Sequence, residues 1–96
     1  MLFNEAQQIL KEHRNDLSNL GVRTLAIFGS IAKDEGKKGS DVDILVDFDS
    51  KKGLFIFLDL KDYLENILHC EVDLVTKKSL HPALKKRILS EAKQIF

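Results

Sequence analysis

The segment Asp41-Val42-Asp43-Ile44-Leu45-Val46-Asp47-Phe48 constrains this chain more than any other, because acids and aliphatic residues alternate along its first half. A side-chain period of two belongs to a β-strand, so Val42, Ile44 and Val46 take one face while Asp41 and Asp43 share the other. Glu71-Val72-Asp73-Leu74-Val75-Thr76 alternates in the same way. Both segments need an apolar layer on one side only. If the two strands, which flank a long helical segment, lie side by side, Asp73 joins Asp41 and Asp43 on one face.

The rest of the chain supplies that layer. Phe3, Ala6, Ile9, Leu10, His13 and Leu17 recur at helical spacing, which predicts a helix over 3–19 with Asn4 and Gln7 as a capping box and Gly21 as its stop. Val22 to Phe28 is a β-branched and apolar strand that ends abruptly at Gly29-Ser30. A short helix or turn over 31–35 leads into the loop Gly36-Lys37-Lys38-Gly39-Ser40, and Asp49 to Gly53 is a second connector. Phe57, Leu60, Leu64, Ile67 and Leu68 stripe a helix over 54–68. Pro82 opens a last helix expected to end near Phe96, with Leu84, Ile88, Leu89, Ala92 and Ile95 as its apolar face. The order αβ(α)βαβα predicts an α/β (α+β) protein: a small mixed sheet with helices packed on one side.

Ninety-six residues suit one domain, spanning 1–96. The hydrophobic fraction of 44% and charged fraction of 31% fit a globular chain and argue against disorder. Fifteen basic residues balance fifteen acidic ones, so polyanion binding by bulk charge is not expected and nucleic acid is an unfavoured partner. A single cysteine forms no internal disulfide, no apolar run reaches the ~18 residues of a membrane span, and the first residues lack a charged leader. The expectation is a cytoplasmic protein without a membrane partner.

Three carboxylates on one sheet face repel one another. Either they hold their protons more tightly or a cation sits among them, and an all-oxygen donor set favours Mg²⁺ or Mn²⁺ over zinc. Alternating Asp residues also mark an ordinary solvated strand face. Gly29-Ser30 shifts the balance, because free N–H groups and a hydroxyl at a strand end suit a phosphate. A phosphate turn beside a divalent-metal carboxylate cluster is the equipment of phosphoryl or nucleotidyl transfer.

In that order and spacing, Gly29-Ser30-Ile31-Ala32-Lys33-Asp34, Ser40-Asp41-Val42-Asp43 and Val72-Asp73-Leu74-Val75 resemble the nucleotidyltransferase superfamily related to DNA polymerase β. The likeness is closer to the minimal nucleotidyltransferases, antitoxin-like partners of HEPN-domain toxins. It extends through Leu54-Phe55 and Arg87-Ile88-Leu89-Ser90-Glu91-Ala92, over about three-quarters of the chain. The resemblance implies a nucleotidyltransferase fold and binding of ATP or another NTP through Gly29, Ser30 and Lys33. It also implies two Mg²⁺ ions (or Mn²⁺) at Asp41, Asp43 and Asp73, the catalytic set, and transfer of NMP to a hydroxyl. The implied acceptor is a tyrosine of a HEPN partner. With no second domain to cover the base, a partner or a second copy in a homo-oligomer is expected to complete the cleft. Lys33 replaces the family's usual arginine and Asp34 its glycine, and both changes bear on phosphate binding. The rival reading is a catalytically inert antitoxin that blocks its toxin by contact.

Lesser candidates carry bland readings. Ser30 has no His–Asp pair placed to make it a nucleophile. His69, Cys70 and Asp73 match no zinc spacing. Lys37 and Lys38 read as a solvated loop rather than a phosphate grip, and the basic residues from Lys77 to Lys93 as a solvated helix face rather than an RNA-binding or partner-binding one. Phe55, opposite the apolar stripe of its helix, hints at an interface.

Overall fold

A computed structural model describes residues 1–33 and 41–96. Asp34, Lys37, Lys38 and Ser40 therefore lie outside the described residues. The elements are α1 (Phe3–Glu12), α2 (Arg14–Asn19), β1 (Val22–Phe28), α3 (Gly29–Ala32), β2 (Val42–Phe48), α4 (Gly53–Leu68), β3 (Val72–Thr76), α5 (Pro82–Glu91) and β4 (Lys93–Gln94). Single 3₁₀ turns at Ser50–Lys52 and Lys77–Ser79 lead into α4 and α5.

The sheet runs β3-β2-β1-β4. β1 pairs antiparallel with both β2 and β4, whereas β2 and β3 are parallel, with α4 as the crossover that parallel neighbours require. It is the small mixed sheet that the sequence leads one to expect. Ile27 of β1 and Val42, Ile44 and Val46 of β2 join Ala6 and Leu10 of α1, Leu17 of α2 and Leu60, Leu64 and Leu68 of α4 in one buried cluster. Those three helices share one sheet face.

Alternation leaves Ala26, Leu45, Asp43 and Asp47 for the opposite face. Leu45 is nonetheless buried, and it lines a cavity of about 120 Å³ with Ala26 of β1 and with Leu89 and Ala92 from the end of α5. The far end of α5 thus flanks the acid-bearing face, so the expectation of helices on one side holds for α1, α2 and α4 and not for α5.

Three further expectations need correction. The helix predicted over 3–19 breaks at His13, whose φ of −103° and ψ of 16° leave helical geometry. The His13 ring bonds the Ile9 carbonyl at 2.8 Å, a side-chain competitor for the backbone ladder. Asn4 and Gln7 form no capping box: α1 starts at Phe3, and Leu2 in front of it makes no side-chain cap bond. The last helix stops at Glu91 rather than near Phe96, because Ala92 turns extended (ψ 134°) and the chain pairs with the open edge of β1. An unpaired strand edge offers backbone hydrogen bonds that a further helical turn does not match. As a result Ile95 is buried from an extended segment, while Leu84 and Leu89 of the expected apolar face are 50% and 43% exposed.

Candidate active site

Gly29, Asp43 and Asp73 come together at one end of the sheet. In the register of β1 with β2, Phe28 lies opposite Asp43; in that of β2 with β3, Asp43 lies beside Asp73. Because the two strands are parallel and in register, both carboxylates project from the same face. Asp41, just before β2, is exposed, as is Asp73, while Asp43 is half-buried between them.

β1 does not run on past Phe28. Gly29 takes φ +74°, a left-handed conformation open to glycine, and turns the chain into α3. A Cβ on Gly29 would collide with the Asp43 carboxylate. The glycine lets the backbone pass close against the central acid. Ser30 follows, half-buried, in the first turn of α3, and the Lys33 N–H closes that turn on the Ser30 carbonyl at 3.2 Å.

The proton affinity of Asp43 is raised, first by burial and then by the charges of Asp73 and Asp41. Three carboxylates thus interact electrostatically, and a cation would relieve them. The donors are all oxygen, which suits Mg²⁺ or Mn²⁺. Among the described residues no three His, Cys, Asp or Glu side chains converge as a ready-made metal cage. Mg²⁺ fits such an open set, since it keeps waters and takes one or two carboxylates together with substrate phosphates.

Lys33 is engaged elsewhere. Its Nζ meets Glu91 Oε1 at 3.1 Å, and Arg87 Nε meets the same oxygen at 3.4 Å. In sequence, Arg87 and Glu91 stand on a charged helix and within the stretch of family likeness; their approach to Lys33 depends on the return of the chain across the sheet, for which no local pattern exists. His69 and Cys70 form no metal group with Asp73. His69 closes α4 in the left-handed conformation (φ 55°), and Cys70 is half-buried at the junction. Phe55 is 83% exposed beside Leu54 and Leu58, whereas Ile56 packs on the core.

The sequence profile of the nucleotidyltransferase domain matches residues 10–95. The chain is 42% identical over 92 residues to protein adenylyltransferase MntA of Thermococcus cleftensis, covering 95% of this chain and 93% of that protein. A solved structure named as a candidate minimal nucleotidyltransferase superposes with a TM-score of 0.85 at 30% identity, over 97% of this chain and 95% of that one. A chain from the complex of tri-AMPylated Shewanella oneidensis HEPN toxin with MNT antitoxin shares the fold. Its TM-score is 0.67 at 22% identity, over 94% of this chain and 71% of that chain. A strand-end glycine packed on the central acid of an in-register aspartate pair accords with the profile match over residues 10–95 and the 42% identity to the Thermococcus protein: this protein belongs to the nucleotidyltransferase domain family and is a transferase enzyme.

Proposed function

We propose that the chain is a metal-dependent protein adenylyltransferase that moves AMP from ATP onto a tyrosine hydroxyl of a HEPN-domain toxin, and so acts as its antitoxin. The observation that carries this reading is the in-register pair Asp43–Asp73 with Gly29 packed against Asp43. The name of the Thermococcus relative and the AMPylated toxin in the Shewanella complex support the nucleotide and the acceptor.

In this reading Gly29 and Ser30 seat the phosphates, with backbone and hydroxyl donors close to the acids. Asp41, Asp43 and Asp73 are the residues that would hold Mg²⁺ or Mn²⁺. When bound, the metal neutralises phosphate charge and stabilises the attacking and leaving oxygens of an in-line displacement. The acceptor oxygen bonds to the α-phosphorus as the bond to the β-phosphate oxygen breaks, and pyrophosphate leaves. Asp73, exposed on the edge strand β3, is the carboxylate an incoming protein hydroxyl reaches, and it takes the hydroxyl proton.

The second reading is that the toxin is silenced by contact alone rather than by the transfer, and the exposed Phe55 beside Leu54 and Leu58 is the surface that favours it. Mixing the protein with its HEPN partner, Mg²⁺ and ATP, followed by mass spectrometry, separates the two. The enzyme adds AMP to the partner in discrete steps, and Asp41→Asn or Asp43→Asn stops the addition while a pull-down still recovers the pair. Binding with no mass shift across ATP, GTP, CTP and UTP would leave only the contact reading.

A further inference from the structure

Glu91 stands in the last turn of α5, where the helix dipole disfavours a negative charge. It is the only acid of a helix that carries Lys85, Lys86 and Arg87. Two cations offset that penalty on one oxygen: Lys33 Nζ at 3.1 Å and Arg87 Nε at 3.4 Å. In keeping with this, the Glu91 carboxyl is held below its usual value, chiefly by the hydrogen bond from Lys33. Two positive charges on one negative leave the group with a surplus of one.

The unused donors are the informative part. An ammonium has three donors, of which Lys33 commits one here. Arg87 reaches Glu91 through Nε, its two terminal amino groups meet no acid among the described residues, and its side chain is 72% exposed. Lys33 lies one turn beyond Ser30, and the end of α5 lies over the acid-bearing face through Leu89 and Ala92. The pair of cations is therefore tied to the phosphate turn through α3, since Lys33 closes the turn that Ser30 opens and meets Arg87 on Glu91.

We propose that Lys33 and Arg87, held on the shared carboxylate of Glu91, form a two-cation clamp for the β- and γ-phosphates of a nucleoside triphosphate. Glu91 is the positioning residue, and Arg87 contributes the planar fork that a lysine at position 33 lacks. The clamp rests on the nucleotide-binding reading above.

Calorimetry on the full chain with Mg²⁺, using ATP and AMP as separate probes, tests it. A clamp on the distal phosphates is read by ATP and not by AMP. Arg87→Gln is expected to weaken ATP roughly tenfold, in line with loss of a charge-assisted hydrogen bond, and to leave AMP within about twofold. Arg87→Lys, which keeps charge and loses the fork, should fall between. Glu91→Gln should also weaken ATP alone, and adding Arg87→Gln to it should then cost less than in the unsubstituted protein. An unchanged ATP-to-AMP ratio in both glutamine variants overturns the clamp and leaves the nucleotide site standing. Tighter ATP binding by Glu91→Gln overturns the positioning role, since the carboxylate would then be a competitor of phosphate. Failure of the unsubstituted chain to bind ATP overturns the nucleotide site, and the clamp with it. Should Glu91→Gln not fold, the two variants at surface-exposed Arg87 still decide.

Discussion

At Gly29 the backbone runs at φ +74°, and an added Cβ would meet the Asp43 carboxylate. Gly29→Ala is expected to cost roughly 2–4 kcal/mol, the sum of a left-handed backbone for an L-residue and an overpacked contact. Chemical denaturation of Gly29→Ala in an Asp43→Ala background should show the contact part gone and the backbone part kept, a coupling that independent sites do not show. Ser30→Ala leaves the backbone alone and should weaken ATP by about 1–2 kcal/mol in a titration. The raised proton affinity of Asp43 has its own signature. A carboxyl that holds its proton more tightly when folded favours the folded state below its ordinary titration range. That contribution is lost as pH rises through the raised folded value. Asp43→Asn is therefore expected to melt higher than the unsubstituted protein at neutral pH without metal and to flatten the pH dependence in this acid window. The two should converge when Mg²⁺ and ATP are added to the unsubstituted protein. At this scale the aspartates were legible, because a period of two assigns a face without any knowledge of the fold. The Gly29–Asp43 and Lys33–Glu91 contacts were not, since each joins residues whose closeness only the sheet and the return of α5 create.

Among the elements, α4 shows how far periodicity carries. Leu60, Leu64 and Leu68 are buried along the expected stripe, and Phe57 and Ile67 pack beside them. The polar tie across to α2 is less visible in sequence: the Tyr63 hydroxyl donates to Asp16 Oδ2 at 2.9 Å. The Tyr63 hydroxyl is pushed up to about 12, by burial first and then by its hydrogen bond to Asp16 and that carboxylate's charge. Its contribution to folding is complete below the ordinary tyrosine value and disappears as pH rises from about 10 through about 12. Tyr63→Phe should lower stability by about 0.5–1 kcal/mol at pH 7 and remove this alkaline loss, as followed by circular dichroism. Helix ends were the weakest expectation, for a physical reason. At His13 a side chain competes for a backbone carbonyl, and at Ala92 a strand edge competes for the chain itself, so neither boundary is written in local apolar spacing. The start of α5 was legible because Pro82 accepts the first helical position, and His81 Nδ1 accepts the Ala83 N–H at 3.1 Å in front of it.

Taken as a whole, the molecule has a firm side and a light one. The firm side is the layer of α1, α2 and α4 on the sheet; the light one is α5, which has no buried residue and is fastened by Glu91, by the ends of Leu89 and Ala92, and by β4. Elements with few buried contacts open at low free energy. Hydrogen exchange should therefore find α5 amides less protected than those of α4 by orders of magnitude. With Mg²⁺ and ATP, protection should rise in α5 and hardly change in α4; equal protection in the free protein would contradict this division. The in-register pairing of β2 with β3 adds one more consequence. Val72 is buried and its neighbour Asp73 is exposed, so sliding β3 by one residue would drive a carboxylate into the hydrocarbon layer and lift a valine into water. The misaligned chain would lose its acid pair and its stability together. Hydrophobic alignment thus acts as quality control on the chemistry: a copy whose carboxylates are out of place is also a copy that cannot stay folded.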